Sequence, residues 1–466
     1  MSEQSKRLLR GGARAATGVL IMGASAAVAI VLGTGIVQVP GIDRGVVSVQ
    51  VDTSQNARIP LVCTGAFAEL GADPSLPTTA IPSGDTQLIV AGDTFEPREL
   101  ARELPQGSAP RVLDSPADAA VSGAELQQVF TPTLQGLTAS SCAEPAHEQW
   151  LVGGGTALGQ STTVVLGNPS EVPATVQLTI YDDEGRIDSS RTAGVLVPAG
   201  SQRIVAVNGY APGRERIALR VESTGAAVTA ALGVSQTVDI RSYAVDTVTR
   251  QLAPATSLVV PAVANPIDRE HGVDGDKDDF PVRVRLLAPG GLKGSAVVSA
   301  LLAEGRPKVL GTVELDGSRV VELEVPKWDS NVQAIVIEAD VPVVGGVFGS
   351  ADVAPSHDYT WFAPAPALTA GTEFAVSVVP GGELVLANPG PNDATVTLVS
   401  EDGLEQRRTI DLAAGTAVPV EAREQLRLSS TESISAAVRV VKGAAIASYP
   451  VLPPAPRSAV LTVYTR

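Results

Sequence analysis

Aromatic side chains are scarce: 3 Trp, 6 Tyr and 7 Phe make up 3% of a 466-residue chain. Glycosidases need two positioned carboxylates, and sugar sites also stack sugar faces on aromatic rings. The 50 acidic residues leave a carboxylate pair open, but so few aromatics argue against a sugar platform. Histidine is scarcer still, with 3 in the chain. His147, His271 and His357 are each expected in surface or loop roles. Ser356-His357-Asp358 has the letters of a catalytic triad. A triad is assembled in space, however, and three successive residues point in different directions. No Gly-x-Ser-x-Gly elbow is present to carry a nucleophile. Gly153-Gly154-Gly155 is followed by β-like sequence and has no P-loop Lys, so a bend or bulge is expected there, not a phosphate cradle. No catalytic residue and no cofactor site emerge, and the chain reads as a non-enzyme.

Basic residues are in deficit, 34 against 50 acidic, for a net charge of −16. Such a chain repels nucleic acid, whose binding rests on Lys and Arg neutralising phosphates. Cysteine is limited to Cys63 and Cys142, which allow one disulfide or two separate buried thiols.

One long hydrophobic run is present. Residues 1–14 are short and basic, and 15–39 are uncharged and almost wholly apolar. About 20 apolar residues span a bilayer as a helix, and flanking basic residues stay cytoplasmic. The reading is a cytoplasmic tail, a transmembrane helix over 15–39 and an extracytoplasmic remainder. A cleaved signal peptide is the alternative, given Ala24-Ser25-Ala26 and Ala27-Val28-Ala29. Export permits the Cys63–Cys142 bridge.

An internal repeat organises the rest. Thr162–Pro169, Val282–Pro289 and Glu383–Pro389 are strand-like runs ending in a small or polar residue plus Pro. Alternating runs follow, such as Val176, Leu178 and Ile180 against Gln177, Thr179 and Tyr181, or Val396 and Leu398 against Thr395 and Thr397. That period marks strands with one buried face. Glycine turns recur at Gly185, Gly305 and Gly403, then at Gly200, Gly317 and Gly415. Short strands with turns between them describe sandwiches of about 100 residues.

The fold class is therefore all-β: an N-terminal transmembrane helix, an irregular β unit over 46–147, and three tandem β-sandwich modules over 148–252, 257–361 and 373–464. The 46–147 unit is expected to be unrelated to the modules, to include strands at Val46–Val51 and Ile59–Cys63, and to hold a helical turn or two near Glu96–Leu104. Pro-rich joints at Ala253–Ala255, Ala363–Ala367 and Pro453–Pro456 are stiff and extended, which predicts a semi-rigid rod. The final run, Ser458–Thr465, is expected to pair with the third module, since a lone strand is unstable.

The middle module carries an acidic insertion, residues 267–280. Asp274, Asp276 and Asp278 resemble the start of a calcium loop. Asp279 then stands where the sharp-turn Gly belongs, and Arg285 where a bidentate Glu belongs. A solvated acidic loop that binds no metal tightly is expected.

The basic start and single hydrophobic segment, then Ser141-Cys142-Ala143-Glu144-Pro145, Trp150–Gly155 and Val165–Pro169, resemble an uncharacterised actinobacterial envelope-protein family, the domain of unknown function DUF5719. The resemblance covers roughly residues 46–464 and implies a bacterial cell envelope, with no activity attached. The middle module departs from it, with Ala288-Pro289 in place of Asn-Pro. The expected role is a non-catalytic scaffold that is anchored in the bilayer and binds an envelope protein or wall polymer. A carboxylate-dependent envelope hydrolase is the alternative.

Overall fold

The computed structural model describes residues 48–52, 58–116, 119–187, 194–238, 241–266, 280–325, 327–353, 356–401, 407–455 and 460–464. The 1–14 tail, the 15–39 helix, His271, Gly403 and the Asp274, Asp276 and Asp278 set lie outside them. Among the described residues the fold is all-β, and no helix is long and apolar enough to cross a membrane. The chain forms two compact units, residues 1–55 with 458–466, and residues 56–457.

The smaller unit contains β1 (Ser48–Asp52). In the larger one, the N-terminal module holds β2 (Arg58–Val62), β3 (Ala68–Leu70), β4 (Ala80–Pro82), β5 (Gln87–Ala91), β6 (Arg98–Glu99), β7 (Arg111–Pro116), β8 (Ser122–Phe130) and β9 (Gln135–Ser141). The first of the three repeats holds β10 (Glu148–Val152), β11 (Gln160–Asn168), β12 (Ala174–Asp182), β13 (Gly185–Arg186), β14 (Val195–Val197), β15 (Ser201–Ala206), β16 (Ala218–Gly225), β17 (Thr229–Val238) and β18 (Arg241–Val248). The second holds β19 (Ala255–Pro261), β20 (Val282–Leu287), β21 (Lys293–Leu302), β22 (Lys308–Asp316), β23 (Val320–Val325), β24 (Val332–Val353) and β25 (Ser356–Phe362). The third holds β26 (Glu373–Ser377), β27 (Glu383–Asn388), β28 (Ala394–Ser400), β29 (Arg407–Leu412), β30 (Thr416–Glu421), β31 (Gln425–Ser430), β32 (Ser435–Lys442) and β33 (Ala445–Pro450). Last comes β34 (Val460–Tyr464), which pairs antiparallel with β1. Residues 460–464 therefore pair with β1 and not with a strand of the third module, and β1 falls in a different unit from the N-terminal module. Each supplies the other's missing edge.

The three repeats share one strand order. Their first sheets run β10-β16-β12-β14, β19-β24-β21-β22 and β26-β31-β28-β29. Their second sheets run β15-β11-β17-β18, β23-β20-β24-β25 and β30-β27-β32-β33. The long β24 serves both sheets of its module, through its first half in one and its second half in the other. Gly185 and Gly305 occupy the same connection in their modules, and Gly200, Gly317 and Gly415 occupy the next turn, all with positive φ. Alternation drives the strands: Val176, Leu178 and Ile180 are buried in the core shared by the two sheets of the first repeat.

Two expectations about organisation fail. The N-terminal module is not unrelated. Its sheets β2-β7-β6 and β5-β8-β9 follow the same order with two strands missing and a β3-β4 hairpin inserted. The stretch Glu96–Leu104 holds β6, not a helical turn. Nor do the modules form a rod, because the joint residues Ala363 and Ala365 are buried and the cores are shared in a cycle. Phe348, Tyr359 and Trp361 of the second repeat enter the first repeat's core. Ile446 of the third enters the second's. Ile89, Ala124, Leu137 and Ala139 of the N-terminal module enter the third's, and Val245 of the first joins Phe67, Val129 and Leu134 of the N-terminal module. The modules close into a ring. Apolar surface left exposed at the joint through Ala363 and Ala365 would be costly, and packing it on the neighbour removes it from water.

Candidate functional site

The last strand of every module lies at the centre of the ring: β9 and β25 each pack against both β18 and β33. Leu137 of β9 and Ile446 of β33, near the starts of their strands, meet Asp358 near the start of β25. Val245 and then Asp246 of β18 meet Asp358 and then Trp361. Ser141 at the end of β9 donates to the Pro450 carbonyl at the end of β33, 2.5 Å away. The four strands thus run in one direction, as a bundle around the axis.

Asp358 of β25 is the point where they meet. Its Oδ2 accepts the N–H of Leu137 in β9 at 2.8 Å and of Ile446 in β33 at 3.2 Å. Its Oδ1 accepts the N–H of Tyr359 at 3.0 Å and of Val245 in β18 at 3.4 Å. Asp246 of β18 makes the return contact: its Oδ2 accepts the Trp361 N–H of β25 at 2.7 Å. Beside them Thr138 of β9 donates to Thr247 of β18 at 2.6 Å. Asp246 and Asp358 are 0% and 2% exposed, so no solvent serves the oxygens left over.

Electrostatics follow from that burial. Desolvation pushes the Asp246 carboxyl up to about 7 against backbone N–H bonds that pull it down. Desolvation also drives Asp358 well above the usual carboxylate range, with the nearby Asp246 adding to it. His357 is likewise buried, packing its ring 3.9 Å from that of Phe280. Burial lowers it to about 4 and keeps it neutral. The surface or loop role expected for His357 is therefore wrong. Its strand is a central one, which sequence spacing did not reveal. His147 keeps a local role, its Nδ1 3.2 Å from the Ser223 carbonyl oxygen.

Other buried polar groups lock neighbours together. Arg285 is 2% exposed and donates to Glu322 Oε1 at 2.7 Å. It reaches into the first repeat, to the carbonyls of Gly154 at 2.6 Å, Ile217 at 3.1 Å and Glu215 at 3.3 Å. Its guanidinium lies 4.3 Å from the Trp361 ring centre. The Gly153–Gly155 segment joins β10 to β11, and a Cβ at Gly153 would press on the Trp361 ring. In the N-terminal module the carboxylate of Glu125, raised by burial, accepts the Gly65 N–H at 2.8 Å. Cys63 and Cys142 are disulfide-bonded. Asn168 and Asn388 each tie two turns, Asn388 Nδ2 donating to the Asn392, Leu412 and Ala413 carbonyls at 2.8, 3.2 and 3.3 Å. Asn168 makes the same three bonds to Val172, Val197 and Pro198.

Sequence reasoning dismissed Asp358 as a triad member without seeing its part, and it missed Asp246 altogether. The available signal was an Asp inside the apolar run Tyr243–Val248. The arrangement can hold strands together. Two recesses lie between modules, one beside Arg250 and Gln202 and one beside Arg283 and Trp361, each of about 20 Å³. That is room for about one water. Among the described residues no group of three or more His, Cys, Asp or Glu could hold a metal ion.

Fold and axis together define a class: an all-β protein of repeated two-sheet modules closed around a buried polar hub. The chain belongs to a family of unknown function, DUF5719, whose profile matches residues 101–423. No curated protein and no solved structure matches it.

Proposed function

We propose that this is a non-catalytic scaffold of a bacterial, actinobacterial-type cell envelope. Residues 15–39 anchor it in the bilayer, and the module ring stands outside, binding an envelope protein or wall polymer. One observation carries the reading. The carboxylates that burial perturbs, Asp246, Asp358 and Glu125, are each engaged by backbone N–H groups that hold the protein itself together. A hydrolase would aim such a group into a substrate pocket. The resemblance to an envelope family and the disulfide, which an oxidising compartment favours, support the location.

The test is affinity purification of the tagged full-length chain from gently solubilised membranes and from wall fragments. A partner or wall polymer retained at constant stoichiometry is the expected result. A chain recovered alone from both fractions, or cleavage of isolated wall material by the pure protein, would overturn the reading.

A further inference from the structure

Asp358 and Asp246 exchange contacts across the joint between the first and second repeats. Asp358 accepts a N–H of β18, and Asp246 accepts a N–H of β25. Asp358 also holds β9 and β33, so two side chains reach all four modules. We propose that the Asp246–Asp358 pair is a proton-sensitive latch, which keeps the ring closed while the pair retains a proton and loosens it once both carboxyls are ionised.

The reason is geometric. Both carboxyls are sealed from water, they lie close enough for each charge to oppose the other, and every donor aimed at them is neutral. Charged and polar neighbours do not relieve this. On β25 itself His357 is held neutral by burial and Tyr359 is protonated, its hydroxyl driven far up by burial. Arg283 of β20 is spent over the Phe348 ring, 4.3 Å from its centre. Against Asp358, β9 and β33 present backbone N–H groups. A first charge is shared among those N–H groups, but a second has no cation to meet it.

The sign follows from linkage. An exposed Asp in the unfolded chain ionises near 3.9, whereas Asp246 holds its proton to about 7 in the folded ring. This stabilisation is fully present below the unfolded value and is lost as pH rises through about 7. Asp246 by itself releases one proton on opening across that interval, which raises the opening constant by up to about tenfold per pH unit, and Asp358 adds in the same sense.

Urea unfolding of the full-length chain at pH 5, 6, 7 and 8 reads this directly. His357, held neutral, works in the opposite sense between about 4 and 6.5, so the readout is wild type against Asp246→Asn: the stability of the wild type relative to the variant should fall steadily to pH 7 and level off above it. Asp246→Asn keeps the shape but cannot ionise, so its pH dependence should lack the share that Asp246 supplies. An unchanged slope in a folded Asp246→Asn protein would overturn the latch. If that variant does not fold, amide hydrogen exchange of the wild type still decides. After correction for intrinsic rates, the Leu137, Val245, Ile446 and Trp361 amides should open progressively as pH rises from 5 to 8. Leu386, in the third repeat's core, should not. Hub amides as steady as Leu386 across that range would also overturn the proposal.

Discussion

The N-terminal module and the third repeat meet where the ring closes, and they solve the same strand order in different ways. The third repeat has two four-stranded sheets around a core that includes Leu384, Leu386, Val396 and Leu428. The N-terminal module has two three-stranded sheets and only small clusters of its own, around Leu61, Leu113 and Val121, and around Phe67, Val129 and Leu134. It makes up the difference with the Cys63–Cys142 bridge and the buried Glu125, and by lending Ile89, Ala124 and Leu137 to the third repeat. At that seam Ser377 Oγ accepts the Ala91 N–H at 3.1 Å and Glu401 Oε2 accepts the Gly92 N–H at 2.9 Å. A sandwich too small to bury enough apolar area by itself survives by cross-linking and by sharing a neighbour's core.

The largest break in this comparison is expected at the hub. Asp358→Ala leaves the Leu137, Val245, Tyr359 and Ile446 N–H groups without their acceptor in a sealed site. Each orphaned group costs about 1–3 kcal/mol, so urea unfolding should show a loss above about 4 kcal/mol. The N-terminal module, which leans on its neighbours, should lose hydrogen-exchange protection before the third repeat does.

Next comes the bridge. Changing Cys63 and Cys142 together to Ala should cost about 2–5 kcal/mol. The loss should be concentrated in exchange protection of residues 58–143, with the third repeat's core amides little altered. Equal loss in both modules would show that they unfold as one and that the bridge serves the whole ring.

A smaller effect separates the repeats themselves. Asn388 is fully buried and holds three carbonyls. Asn388→Ala should cost about 1–3 kcal/mol in a thermal or denaturant melt. The second repeat already has Ala288 at this place and joins its turns by the Ser318 N–H to the Ala288 carbonyl, 2.9 Å. Ala288→Ser or Ala288→Gly should therefore move stability less than Asn388→Ala does. The smallest change is Gly200→Ala. The turn sits at φ +59° in open space, so only the backbone preference is lost, and about 1–2 kcal/mol is expected.

Much of this was legible in the chain. Val176, Leu178 and Ile180 announce a one-sided strand, and the spacings of Gly185 and Gly305 and of Gly200, Gly317 and Gly415 mark equivalent turns, because turn chemistry and side-chain period are local properties. The same pattern began to fail at Thr179 and Tyr181, which are buried although they face away from their own core. Tyr181 packs with Trp150 of its own repeat and with Leu287, Val320 and Val344 of the next. The N-terminal module stayed hidden because β6 has two residues and the β3-β4 hairpin interrupts the spacing. The Ala-Pro joints were read as stiff spacers, yet stiffness does not set direction, and they turn the chain back onto its neighbours.

Local physics in the sequence thus determined the all-β class, the turns, the alternating faces and the pairing available to Cys63 and Cys142. Only the tertiary structure decided the ring, the shared cores and the partners of Asp246 and Asp358. Those depend on groups far apart in sequence, such as Ile446 and Asp358, 88 residues apart, or Val245 and Asp358, 113 apart. No residue along the chain records which distant backbone N–H will come to rest beside it, and the cost of burying an unpaired carboxyl appears only once the modules have closed around it.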